Sequence, residues 1–84
     1  MAVQEEGCLA LSNIANGNAY NQRAIAAHGG ISVVVSAMKA HSGHVGIQDS
    51  GCRALANLAA NADNTIAIAA AGGIRVVILA IKAH

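Results

Sequence analysis

Four histidines, two cysteines and a recurring asparagine are the side chains here that could do chemistry, and their spacing narrows what that chemistry can be. His41 and His44 lie three apart, His84 repeats His41, and His28 stands alone. A metal centre needs three or four converging ligands, and no Cys lies near these imidazoles in sequence. His41 and His84 fall instead at expected helix C-termini, where a partly positive ring suits the helix dipole. Cys8 and Cys52 occupy equivalent places in an apolar helical pattern, which predicts inert core thiols. No paired carboxylates, nucleophile–base pair or spaced-glycine phosphate loop occurs; Gly29-Gly30 and Gly72-Gly73 read as helix breaks. The expectation is a non-enzymatic chain with no catalytic residue, no metal and no cofactor.

Composition narrows the partners. The chain has 84 residues, 55% of them hydrophobic, and Tyr20 is its single aromatic residue. Ala, Val, Ile and Leu must build the core, and one Tyr makes neither an aromatic cage nor a base-stacking platform. A net charge of +1, with Arg23, Lys39, Arg53, Arg75 and Lys82 scattered, predicts no nucleic-acid binding. The longest apolar stretches, such as Ile31 to Met38, fall short of a bilayer span. The N-terminus lacks the basic-then-apolar order of a signal peptide, so no membrane association is expected. Reduced thiols suit the cytoplasm or nucleus, although an excised or designed fragment carries no address.

The elements that position these residues come twice. Val3 to Ala15 aligns with Ile47 to Ala59 at an offset of 44, with Gln, Gly, Cys, Ala, Leu, Asn and Ala recurring in place. After a one-residue slip near Tyr20 the match resumes at an offset of 43. There Ala24-Ile25-Ala26-Ala27-His28-Gly29-Gly30-Ile31 lies above Ala67-Ile68-Ala69-Ala70-Ala71-Gly72-Gly73-Ile74. Copy one covers residues 2–43 and copy two 44–84. Each predicts three helices. The first runs from Val3 to Asn16 and, longer, from Val45 to Ala60; Val3, Gly7, Leu11 and Ile14 and Ile47, Gly51, Leu55 and Leu58 step by four, four and three along one stripe. The recurring Gly is costly inside a helix and suggests a close helix approach. A short helix follows near Asn21 to His28 and Asn64 to Ala71, with Asn or Asp as cap candidates and Gly29 and Gly72 as left-handed stops. The third covers Ile31 to His41 and Ile74 to His84. Its polar stripe Ser32, Ser36 and Lys39 becomes Arg75, Leu79 and Lys82, so Leu79 is either a stray surface residue or a contact with a neighbouring chain.

The stretches Ala10-Leu11-Ser12-Asn13-Ile14-Ala15 and Ala54-Leu55-Ala56-Asn57-Leu58-Ala59, each followed by an Asn-rich loop and then Ala-Ile-Ala-Ala-x-Gly-Gly-Ile, resemble the armadillo repeat. The resemblance covers nearly the whole chain. It implies an all-α, armadillo-type α-solenoid with right-handed superhelical stacking, read here in the frame-shifted helix order 3-1-2-3-1-2. It also implies a protein-binding scaffold whose long helices line a concave groove for extended peptides. On that pattern the groove candidates are Asn13 and Asn57, which match the Asn that bonds a ligand backbone, with Leu9 and Arg53 where importin-type repeats carry Trp, and Glu6 and Ser50 a turn earlier beside Glu5 and Asp49. An amide can pair with the main chain of any extended segment; it can equally brace the end of its own helix. The missing Trp pair and the Ser32 and Arg75 that replace the usual Pro depart from the family pattern.

Solenoid repeats bury their apolar faces against neighbours and need polar caps. The sequence opens on a long helix and closes on an outer one without such caps, so the two ends are expected to satisfy each other in a homo-oligomer. The self-association candidates are Val3, Leu11, Val35, Met38, Ile78, Leu79 and Ile81, and the segment His41 to His44 reads as a hinge for swapping. A monomeric module that holds an extended peptide is the alternative.

Overall fold

The computed structural model describes residues 2–84 and holds six helices: α1 (Ala2–Ala15), α2 (Ala19–Ala27), α3 (Gly30–Ala40), α4 (Val45–Leu58), α5 (Ala62–Ala70) and α6 (Gly73–Ala83). The described residues contain no strand. Helix lengths run 14, 9 and 11 residues, and then 14, 9 and 11 again. The long helix of copy two is therefore not the longer one; Ala59 and Ala60 already belong to the turn.

The short helices start two residues earlier than Asn21 and Asn64 suggest, because Asn18 and Asn61 do the capping. Each has an extended backbone, and each carboxamide oxygen accepts from a first-turn amide, Asn21 N at 2.9 Å and Asp63 N at 3.0 Å. Such a cap satisfies an otherwise orphaned donor. Asn18→Ala or Asn61→Ala is expected to cost about 1 kcal/mol, read as a fall in Tm of roughly 4–8 °C in a circular-dichroism melt.

The Gly pairs end the short helices as expected. Gly29 and Gly72 sit at φ +80° and +91°, a left-handed geometry with little penalty only for Gly. Their successors Gly30 and Gly73 answer to a different constraint, for a Cβ there would run into the side chain and carbonyl of Ile25 or Ile68. Across the second break α5 and α6 meet at 78°.

The core forms where the two copies join. α1 and α4 are the most extensively packed pair, α4 also lies on α3, and α2 meets α5 as α3 meets α6. The long helices run parallel: Glu5 touches Gly46 near their starts, and Asn57 donates to Ser12 near their ends. Ile47, Ala54, Leu55 and Leu58 of α4 are buried against Cys8 and Ala15 of α1 and Val34, Val35 and Met38 of α3. A Cβ at Gly51 would lie 2.6 Å from Met38 Cγ and 2.7 Å from its Sδ. The close approach expected of the recurring Gly is met at that position, whereas nothing lies within 4 Å of the same point on Gly7.

Three buried amides bind helix ends, those of Gln48 and Asn64 across the joint and that of Gln22 within copy one. Gln22 Nε2 donates to Ala15 O at 2.9 Å; Gln48 Nε2 donates to Met38 O at 2.9 Å and His41 O at 3.0 Å; Asn64 Nδ2 donates to Gln22 O and Leu58 O, both at 3.0 Å. Most of these carbonyls belong to the last turn of a helix, where no intrahelical donor remains. No buried side-chain nitrogen or oxygen among the described residues lacks a partner.

Candidate functional site

The expected groove is only partly assembled. On α1, Leu9 and Asn13 are exposed, as is Glu6; on α4, Arg53 is exposed and paired with Asp49 one turn back at 3.3 Å. Asn57 is half-buried, and its Nδ2 donates to Ser12 O at 2.9 Å and Ser12 Oγ at 2.8 Å. The amide thus braces the two long helices. Ser50 is buried and leaves the groove set: one step along the helix from Asp49 turns it by about 100°, enough to carry it from solvent into the joint. Asn57→Ala is expected to cost about 1 kcal/mol of folding stability, measurable by urea unfolding without any ligand.

One imidazole caps a helix through its ring. His44 is the N-cap of α4, its Nδ1 accepting from Ile47 N at 3.1 Å. Because Nδ1 accepts, the neutral ring carries its proton on Nε2, the atom that faces Glu5 Oε1 at 4.0 Å. Sequence reasoning missed this cap because His is not among the usual cap residues. His41 ends α3, and the ring of His84 meets Ser42 O at 3.2 Å. Among the described residues no three His, Cys, Asp or Glu side chains come together as a metal-holding group, and no single helix is long and apolar enough to cross a membrane.

Cys8 is buried and Cys52 half-buried. Burial pushes both thiols above the ordinary cysteine range, and the charge of Asp49 adds to the rise at Cys52. A raised pKa leaves less reactive thiolate at neutral pH. Cys52 is therefore expected to react with iodoacetamide faster than Cys8, both more slowly than a free thiol, with rates still climbing above the ordinary thiol pKa. Peptide mapping by mass spectrometry after timed labelling separates the two.

Two faces stand open at opposite ends of the helix stack. On α1, Val3 is 80% exposed, while its counterpart in copy two, Ile47, is 0% exposed. On α6, Ile78 and Ile81 are 47% and 73% exposed; their counterparts in copy one, Val35 and Met38, are 2% and 1% exposed beneath α4. Val35 and Met38 therefore drop out of the surface expected to meet another chain. They already form the joint inside this one, and Met38→Lys would disrupt the fold rather than an assembly. Val3, Ile78, Leu79 and Ile81 remain on the surface, and Leu11 is half-buried. The amides of Gln48 and Asn64 that bind across the joint were also missed. Their one sequence signal is that Gln4/Gln48 and Asn21/Asn64 recur in place.

No protein-family model, curated protein or solved structure matches the chain.

Proposed function

We propose that this chain is an armadillo-type protein-interaction unit that binds further copies of itself. Support for the repeat type comes from the long, short and medium helices recurring with equal lengths in the order 3-1-2-3-1-2, and from the packing of each helix on its counterpart. The observation that carries self-association is the pair of open apolar faces on α1 and α6, whose counterparts are buried against each other within the chain. Apolar area of this kind is driven to leave water, and a concentrated patch of it marks an interaction surface.

A groove for an extended peptide has less behind it, because the Asn57 amide is already bonded to Ser12 and Ser50 is buried. The test is absolute mass by light scattering after size exclusion, at several concentrations. Species at multiples of 8.3 kDa are expected. A mass of 8.3 kDa at every concentration would overturn the reading and leave the exposed Leu9 and Asn13 edge as the surface to probe with peptides.

A further inference from the structure

The joint between the two copies is a template for what meets the open faces. Copy two receives copy one through four residues of α4 and α5. Gln48 donates to the carbonyls of Met38 and His41, Gly51 makes the notch that Met38 enters, Asn57 donates to Ser12 O, and Asn64 donates to Gln22 O. The counterparts on α1 and α2 are Gln4, Gly7, Asn13 and Asn21, identical in type at all four places. None of these four has its inter-copy contact within the chain. Gln4 and Asn13 are exposed, Gly7 faces open space, and Asn21 makes one amide bond, to Ile14 O, where Asn64 makes two.

The other face carries the matching half. Cys52, Ile68, Ile74, Val77 and Ile78 line an apolar trough of about 390 Å³ on copy two. Their counterparts Cys8, Ile25, Ile31, Val34 and Val35 are buried in the joint beneath copy two. Main-chain carbonyls of Ile81, His84, Ala56 and Thr65 stand where the joint has those of Met38, His41, Ser12 and Gln22; the Ser12 hydroxyl that also accepts from Asn57 has no equivalent at Ala56. Ile81 takes the place of Met38, an apolar knob held out in solvent.

We infer that α1 of a second copy of this chain seats in the trough between α4 and α6, with Ile81 of the first entering the Gly7 notch of the second. This deepens the self-association reading and rests on it. The contact is heterologous, because the two surfaces it joins are different, so it propagates head to tail into an open filament or closes only as a ring. Each added copy repeats a joint of the type the chain already contains.

Two half-blocked variants test the joint. Gly7→Leu fills the notch yet projects into open space in the free chain; Ile81→Lys puts a charge on the knob at a position that is 73% exposed. Both are expected to keep the helical circular-dichroism spectrum and cooperative melt of the parent chain. Each alone should run as a single 8.3 kDa species at concentrations where the parent forms larger species. Mixed in equal amounts, Gly7→Leu offers an intact trough and Ile81→Lys an intact α1 face, so the mixture should give a complex of twice 8.3 kDa and nothing larger. Association of the parent that survives both variants would overturn the joint while leaving self-association standing. A mixture that stays at 8.3 kDa would overturn the head-to-tail geometry. A parent chain that is itself monomeric throughout overturns both the joint and the reading beneath it.

Discussion

Met38→Ala is expected to lower folding stability by about 2–5 kcal/mol, a fall in Tm of roughly 10–30 °C for a domain of this size. Met38 is among the largest fully buried side chains, it comes from α3, and it fills the close approach at Gly51 of α4. Removing it leaves a cavity in the joint, and the helices cannot collapse to refill it without moving the carbonyls of Met38 and His41 that Gln48 holds. Total stability for 84 residues is on the order of 4–13 kcal/mol, so this one truncation removes a large share. Met38→Lys goes further, since it buries an unpaired charge, and no cooperative melt is expected. The control is the same repeat position in copy two: Ile81→Ala, on the surface, is expected to change stability by about 0.5 kcal/mol or less. Thermal unfolding followed at 222 nm in dilute solution, where association is minimal, compares the three variants directly. An equal effect at positions 38 and 81 would mean that copy two is as deeply embedded as copy one, against the 1% and 73% exposure of the two side chains.

The helices and the two Gly breaks were legible because each is a local property. Four-four-three spacing fixes a helix face, and a Gly pair at a fixed place fixes a stop. The starts of the two short helices were misread by two residues because the Asn-rich loops offer several amides, and the one that accepts from the first turn is the one on an extended backbone, Asn18 or Asn61. Val35 and Met38 were assigned to the outside for a different reason. Periodicity identifies an apolar face but is silent on whether that face meets the next copy in the chain or solvent, and α3 and α6 share the same pattern. Ser50 shows the same blindness on a polar residue. Gln48 and Asn64 were invisible as structural residues because a lone amide within a helix is ordinary until the ends of neighbouring helices are known to lie beside it.

Asn64 is where the remaining large effect is expected. Its Nδ2 carries both protons of the amide to two carbonyls, Gln22 O in copy one and Leu58 O at the end of α4. Asn64→Ala removes two buried hydrogen bonds, at about 0.5–1.5 kcal/mol each, with Leu58 O keeping the turn amide of Asn61 at 3.2 Å, whereas Asn21→Ala loses a single exposed bond to Ile14 O and about 0.5–1 kcal/mol in the dilute, unassociated chain. Asn64→Asp separates the hydrogen bonds from the packing. Its shape is nearly that of Asn, but at neutral pH a buried carboxylate would face two carbonyl oxygens with no proton to offer, so stability at pH 7 should fall below that of Asn64→Ala. Desolvation and the two carbonyls both disfavour the charged form, and the folded-state pKa of this carboxyl is raised above the unfolded value of about 3.9. The folded state then binds the proton more tightly, so the deficit relative to the parent chain is smallest below the unfolded pKa and grows as pH rises through the folded one. Urea titrations of parent and variant at matched pH values from 4 to 8 measure that difference. A gap that stays constant across the range would mean that Asn64 acts through its volume and not through its donated protons.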